Sequence, residues 1–126
     1  MQENLLHAGN RQPVLRVRAE VHGTNVHGRV HMGWLMGQID LAGSAVAERL
    51  ARGQVTTVAV NAFQFANPIQ LGDFVSIYAD KLRLGQKSVT LKITVETERM
   101  SGEVLPVTEL ISTYVAIDDD GRSRLI

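Results

Sequence analysis

The chain has no cysteine, only 5% aromatic residues, no surplus of either charge and no long apolar run. Without cysteine, disulfide scaffolds, thiolate zinc sites and cysteine nucleophiles are excluded together, and the cytoplasm is the expected compartment. With 13 Lys+Arg balancing 13 Asp+Glu, the clustered cation density that replaces counterions on a nucleic-acid duplex is missing, so no nucleic-acid partner is expected. Scarce aromatics leave few stacking platforms for single strands. No apolar stretch reaches the ~18 residues of a membrane span, so no membrane partner is expected. Met1 to Gln12 lacks the apolar core of a signal peptide.

What remains is 126 residues that are 44% hydrophobic, the size and composition of a single domain spanning 1–126, with 1–12 expected to be a flexible N-terminal segment. Val14 to Val21 alternates apolar Leu15, Val17 and Ala19 with Arg16, Arg18 and Glu20, the pattern of a strand. A helix is predicted from about His31 to Arg52, because Leu35, Ile39, Ala42, Val46 and Leu50 form one stripe at helical spacing. Gly53 is the expected C-terminal cap, and at ~1.5 Å per residue the helix spans ~30 Å.

Four strands follow: Val55 to Ala66, apolar on both faces; Phe74 to Leu84; Ser88 to Arg99, with Val89, Leu91, Ile93 and Val95 on one face; and Val107 to Ile117. Turns are expected at Gly85-Gln86, Ser101-Gly102-Glu103 and Asp118-Asp119-Asp120-Gly121. The class is therefore α+β, one long helix against an antiparallel meander. Such a sheet leaves an edge and a face open, which predicts at least a homodimer.

Two features bear on chemistry. The segment Gly23-Thr24-Asn25-Val26-His27-Gly28-Arg29-Val30-His31-Met32-Gly33 is rich in glycine and polar groups just before the helix. The first amides of that helix have no intrahelical partner and suit a carbonyl oxygen becoming an oxyanion. A plain helix entry is the other reading. Asp40 interrupts the most apolar part of the helix beside Ile39. Buried there, a carboxylate needs partners or a raised pKa and is a candidate general base; the alternative is a solvated face shared with Gln38 and Ser44. Asp40 lies ~10 Å along the axis from Gly33, too far to act on one atom with that same helix's N-terminus. If both act together, they come from different subunits.

The run from Asn25 to Gly33, with Gln38-Ile39-Asp40, Val58-Ala59-Val60-Asn61, Phe65-Ala66-Asn67-Pro68 and Gly72-Asp73, resembles the acyl-CoA thioesterases of the hotdog fold. The similarity covers His22 to Gly121, and the nearest branch is that of the broad-specificity bacterial acyl-CoA hydrolases and their two-domain animal relatives. The resemblance implies a long central helix wrapped by an antiparallel sheet, dimers joined through that sheet, and a hexamer built as a trimer of dimers. It implies hydrolysis of acyl-CoA to a carboxylic acid and coenzyme A, without metal or cofactor. By the same resemblance, Asp40 activates water or attacks the thioester carbonyl, Asn25 of the opposite subunit orients water or substrate, and amides at Met32 and Gly33 hold the oxyanion.

The sequence departs from that family pattern at three places. Met32 stands where relatives carry Gly, which narrows the acyl or pantetheine channel, His27 where a second Asn is common, and Asn67 where a basic residue is common. His27, His31, Asn67, Lys87 and Ser88 are the expected substrate-binding residues. Lys81, Arg83, Lys87 and Arg99 are candidates for a cationic rim facing coenzyme phosphates. His22, His27 and His31 are spaced by five and four, but Gly28 and their position before the helix disfavour a metal. A non-catalytic acyl-CoA binder on the same scaffold is the alternative that Met32 and His27 leave open.

Overall fold

Alternating apolar side chains build one sheet, and a stripe of small apolar residues lays the helix along it. The computed structural model describes residues 11–61 and 64–126. Its elements are β1 (Leu15–Arg18), α1 (Met32–Ala51), β2 (Val55–Val60), β3 (Phe74–Leu84), β4 (Ser88–Glu98) and β5 (Val104–Ala116), with a short 3-10 turn at Val21–Gly23. The strands pair antiparallel in the order β1-β3-β4-β5-β2. This is the expected α+β arrangement, a long helix wrapped by an antiparallel sheet.

The strand order corrects the meander. Only β3, β4 and β5 are sequential neighbours, whereas β2 crosses to the far edge beside β5. Beyond β2 the chain stays beside β5, with Asn61 N–H donating to the Ile111 carbonyl at 2.9 Å and Ala66 N–H to the Val107 carbonyl at 2.8 Å. β2 also ends at Val60 rather than Ala66; Ala62 and Phe63 lie outside the described residues, as do the first ten residues of the expected flexible segment. Arg11 itself is tied down, paired with Asp80 and stacked 4.9 Å above the Tyr78 ring.

β5 begins at Val104, three residues before its predicted start, and includes Pro106. A register shift between Val95 and Glu96 falls opposite this proline, where a missing N–H is tolerated. β1 is shorter than predicted, because the chain turns at Val21–Gly23 after Ala19 N–H has bonded the Asp73 carbonyl at 2.8 Å. At Asp118 the side chain accepts from Asp120 and Arg122 N–H at 2.9 and 3.0 Å, making the expected turn.

The helix ends one residue earlier than Gly53 implied: Arg52 is its C-cap, with φ 57 and ψ 45. Its buried face is Leu35, Ile39, Ala42, Gly43, Ala47 and Ala51, with Val46 and Leu50 of the predicted stripe only partly buried. Small residues therefore lie at the closest approach to the curled sheet, against Ile93 and Tyr114. A Cβ on Gly43 would stand 2.0 Å from the Tyr114 hydroxyl. Gly43→Ala is accordingly expected to destabilise the fold by about 1–3 kcal/mol, measurable as a lowered denaturant midpoint with unchanged slope. Burial raises the Tyr114 pKa above its ordinary value; Ser112 opposes the rise and the Asp40 charge adds to it.

Candidate functional site

The loop before α1 is shaped by Asn25. Thr24 and Val30 bridge across it, Asn25 N–H donates to the Arg29 carbonyl at 2.7 Å, and Gly28 N–H returns to the Asn25 carbonyl at 3.1 Å. Gly28 takes φ 76, a left-handed conformation that a side chain would strain. The Asn25 Oδ1 accepts from His27 and Arg29 N–H at 2.8 and 3.1 Å. That commits the carbonyl end of the side chain to the loop and leaves its NH₂ as the group able to donate to a ligand.

A second loop closes on the first. Val30 N–H donates to the Ile69 carbonyl at 2.9 Å and Leu71 N–H to the Gly28 carbonyl at 2.8 Å. Between the two loops and the start of α1 lies a cleft of about 420 Å³. Asn25, Arg29, His31, Met32 and Asn67 face it, and Val30, Leu35, Phe65, Ala66, Pro68, Ile69 and Val107 supply an apolar lining. At its helical end the first intrahelical bond runs from Leu35 N–H to the His31 carbonyl at 3.2 Å, so the amides of Met32, Gly33 and Trp34 precede it. His31 is the N-cap but makes no side-chain cap. A side chain at Gly33 would meet nothing within 4 Å, but Gly33, expected as an oxyanion donor, is not among the residues that line the cleft.

The cleft thus brings together Asn25, Met32, His31 and Asn67 of the predicted set. The Asn67 amide is already engaged, donating to the Pro106 carbonyl at 2.8 Å. His27 is exposed and does not line the cleft, and His22 lies on the surface with its Nδ1 3.9 Å from Glu20. Lys87 and Ser88 sit at the other end of the sheet, where Lys87 accepts from Ala116 N–H at 2.9 Å and Ser88 pairs with Val115. Seven strand residues, ~23 Å, separate Ser88 from Val95 beside the cleft. Arg99 is withdrawn from the proposed cationic rim by an ion pair with buried Asp73. The cation at the cleft is Arg29, which the sequence reasoning passed over; among the described residues its side chain has no ion-pair partner.

Asp40 is not in its own chain's cleft. It lies eight residues past Met32, ~12 Å along the axis. It is exposed rather than buried, and its Oδ1 accepts from the Thr57 hydroxyl at 2.9 Å. Thr57 was missed because nothing in a strand sequence tells which helix position it will face. Around this pair the surface is apolar and unpaired. Leu41 is exposed, Val58 is 54% and Val60 37% exposed, and β2 is an edge strand.

Residues 27–103 match the sequence profile of the thioesterase superfamily. An uncharacterized acyl-CoA thioester hydrolase of Haemophilus influenzae is 38% identical over 90% of this chain and 76% of its own. The acyl-CoA thioester hydrolase YciA of Escherichia coli is 36% identical over 90% of this chain and 89% of its own. Among solved structures, the hexameric thioesterase y2039 of Yersinia pestis superposes with a TM-score of 0.87 at 39% identity, covering 93% of this chain and 96% of that one. A hexameric hotdog fold thioesterase of Campylobacter jejuni gives 0.85 at 31% identity, covering 92% and 90%.

Proposed function

Because the chain belongs to the thioesterase superfamily, we propose that it hydrolyses acyl-CoA, with water as co-substrate and a carboxylic acid and free coenzyme A as products. The observation that carries this reading is the cleft whose apolar lining meets the N-terminus of α1 at Met32, where the first helical amides have no intrahelical partner. The acyl chain lies along Leu35, Ile69 and Val107, and the thioester carbonyl points to the helix N-terminus. Asp40 of a second subunit, held by Thr57, takes a proton from water as its oxygen attacks the carbonyl, or attacks that carbonyl itself. The oxyanion is stabilised by the amides and the Asn25 NH₂. Its collapse breaks the C–S bond and releases the coenzyme A thiolate, which takes up a proton; where Asp40 itself attacks, the collapse leaves an acyl-aspartyl anhydride that water then hydrolyses to the carboxylic acid and free Asp40. Thiol release from a panel of acyl-CoAs tests the assignment; no release on any chain length, with binding retained, would instead make the protein a binder.

The proposed assembly is a homodimer through the exposed edge β2, with three dimers in a hexamer like those of the Yersinia pestis and Campylobacter jejuni proteins. An acyl-CoA substrate fits action in the cytoplasm. No helix among the described residues is long and apolar enough to cross a membrane.

Arg29 at the cleft is assigned to the coenzyme phosphates. Arg29→Ala is expected to raise KM for acyl-CoA by about fivefold and to flatten its dependence on salt, while leaving acyl-pantetheine thioesters unaffected. Equal KM changes for both substrate types would remove that role. Thr57→Val leaves Asp40 without its donor, and kcat is expected to fall about tenfold with KM little changed, read from the same thiol assay.

A further inference from the structure

Behind the cleft stands a polar cluster that touches neither the cleft nor Asp40. Asp73, just ahead of β3, is 2% exposed. Its Oδ2 accepts from Gln70 N–H at 2.9 Å, from the Thr97 hydroxyl at 2.8 Å and from the Arg99 guanidinium. The same Arg99 nitrogen donates to the Pro68 carbonyl at 2.9 Å. Asp73, Thr97 and Arg99 do not line the cleft, yet Ala66, Asn67, Pro68 and Ile69 form one wall of it.

The energetics favour a fixed wall. A buried carboxylate keeps its charge only while its donors stay in place, and a charge-assisted bond is about twice as strong as a neutral one. Pro68 carries no N–H, so this part of the wall cannot be held by a strand ladder through its amide. Its carbonyl is held instead by Arg99, which is anchored through Asp73 to the start of β3 and the end of β4. Moving the wall outward breaks several of these contacts together, so its position is set by rigid strands and not by the ligand.

Resting on the thioesterase reading, we infer that Asp73 and Arg99 are positioning residues that fix the width of the acyl cleft and so its chain-length selectivity. Arg99→Lys keeps the charge but replaces the rigid guanidinium by a strongly hydrated ammonium on a flexible stem, which holds the Pro68 carbonyl and Asp73 less firmly. Thr97→Val removes one donor to Asp73 at nearly constant volume.

The test is a panel of acyl-CoA substrates, with the matching non-hydrolysable thioether analogues for binding, applied to wild type, Arg99→Lys and Thr97→Val. The preference between best and worst chain length is expected to shrink by about tenfold in Arg99→Lys, through KM and Kd, while kcat for the best substrate stays within about threefold. Thr97→Val should move the same way and less. A uniform fall in kcat with an unchanged chain-length profile would overturn the inference, since that is the signature of a smaller folded fraction. Should wild type release no thiol, the hydrolase reading fails, and the analogue affinities still decide the positioning role. Wild type binding no analogue overturns both.

Discussion

Asp40→Asn is expected to lower kcat for acyl-CoA hydrolysis by about a thousandfold while leaving acyl-CoA binding within about threefold of wild type. The substitution keeps the volume, and the amide oxygen still accepts the Thr57 hydroxyl that now reaches Oδ1 at 2.9 Å. What disappears is the capacity to take a proton from water or to attack the carbonyl. Both chemical roles of Asp40 lose it alike, so the experiment tests the residue and not the choice between base and nucleophile. Binding persists because the apolar lining and Arg29, which hold the acyl chain and the coenzyme in the proposed complex, are unchanged by the substitution. Thiol release at saturating substrate, with affinity measured separately by calorimetry, checks both halves. Equal rates for the two proteins would take Asp40 out of the reaction.

Co-expressed Asn25→Ala and Asp40→Asn chains are expected to recover about a quarter of wild-type activity, although each alone is nearly inactive. With a site built from Asn25 of one chain and Asp40 of another, both sites of either homodimer lack one of the two groups. In the mixed dimer one site has both groups and the other has neither. Random pairing makes about half of the dimers mixed, and half of their sites are intact. The expectation rests on the separation of Asp40 from the Asn25 cleft within one chain and on the exposed apolar β2 edge beside Asp40. Activity no greater than the sum of the separate mutants, or a fully active monomer by sedimentation, would place the whole site in one chain.

Much of this was legible because it depends on local periodicity. The one-sided pattern of β4, the stripe through Leu35, Ile39 and Ala42 and the turns at Gly85, Gly102 and Asp118 are repeated along a few adjacent residues and reappear where expected. Asn25 stood out in a dense motif and does line the cleft, whereas Asp40, read as a carboxylate buried in an apolar helix, is exposed. The apolar character of both β2 faces was legible too, but not that the chain itself would leave that strand exposed at the edge of the sheet.

Other features depend on which distant segments meet. The crossing of β2 to β5 follows from the closing of the sheet around the helix, and no periodicity records it. Arg99 seemed a free surface cation until folding placed Asp73 against it, and Lys87 lost its place at the cleft because β4 carries it to the opposite end of the sheet. Arg29 gained its place because the Val30–Ile69 contact folds the two loops together. The sequence by itself determined the elements, the class and the chemically able residues, since those follow from side-chain type and short-range spacing. Only the tertiary structure decided which of them share a cleft, because packing joins residues far apart in the chain, and it left Asp40 exposed and outside the cleft of its own chain.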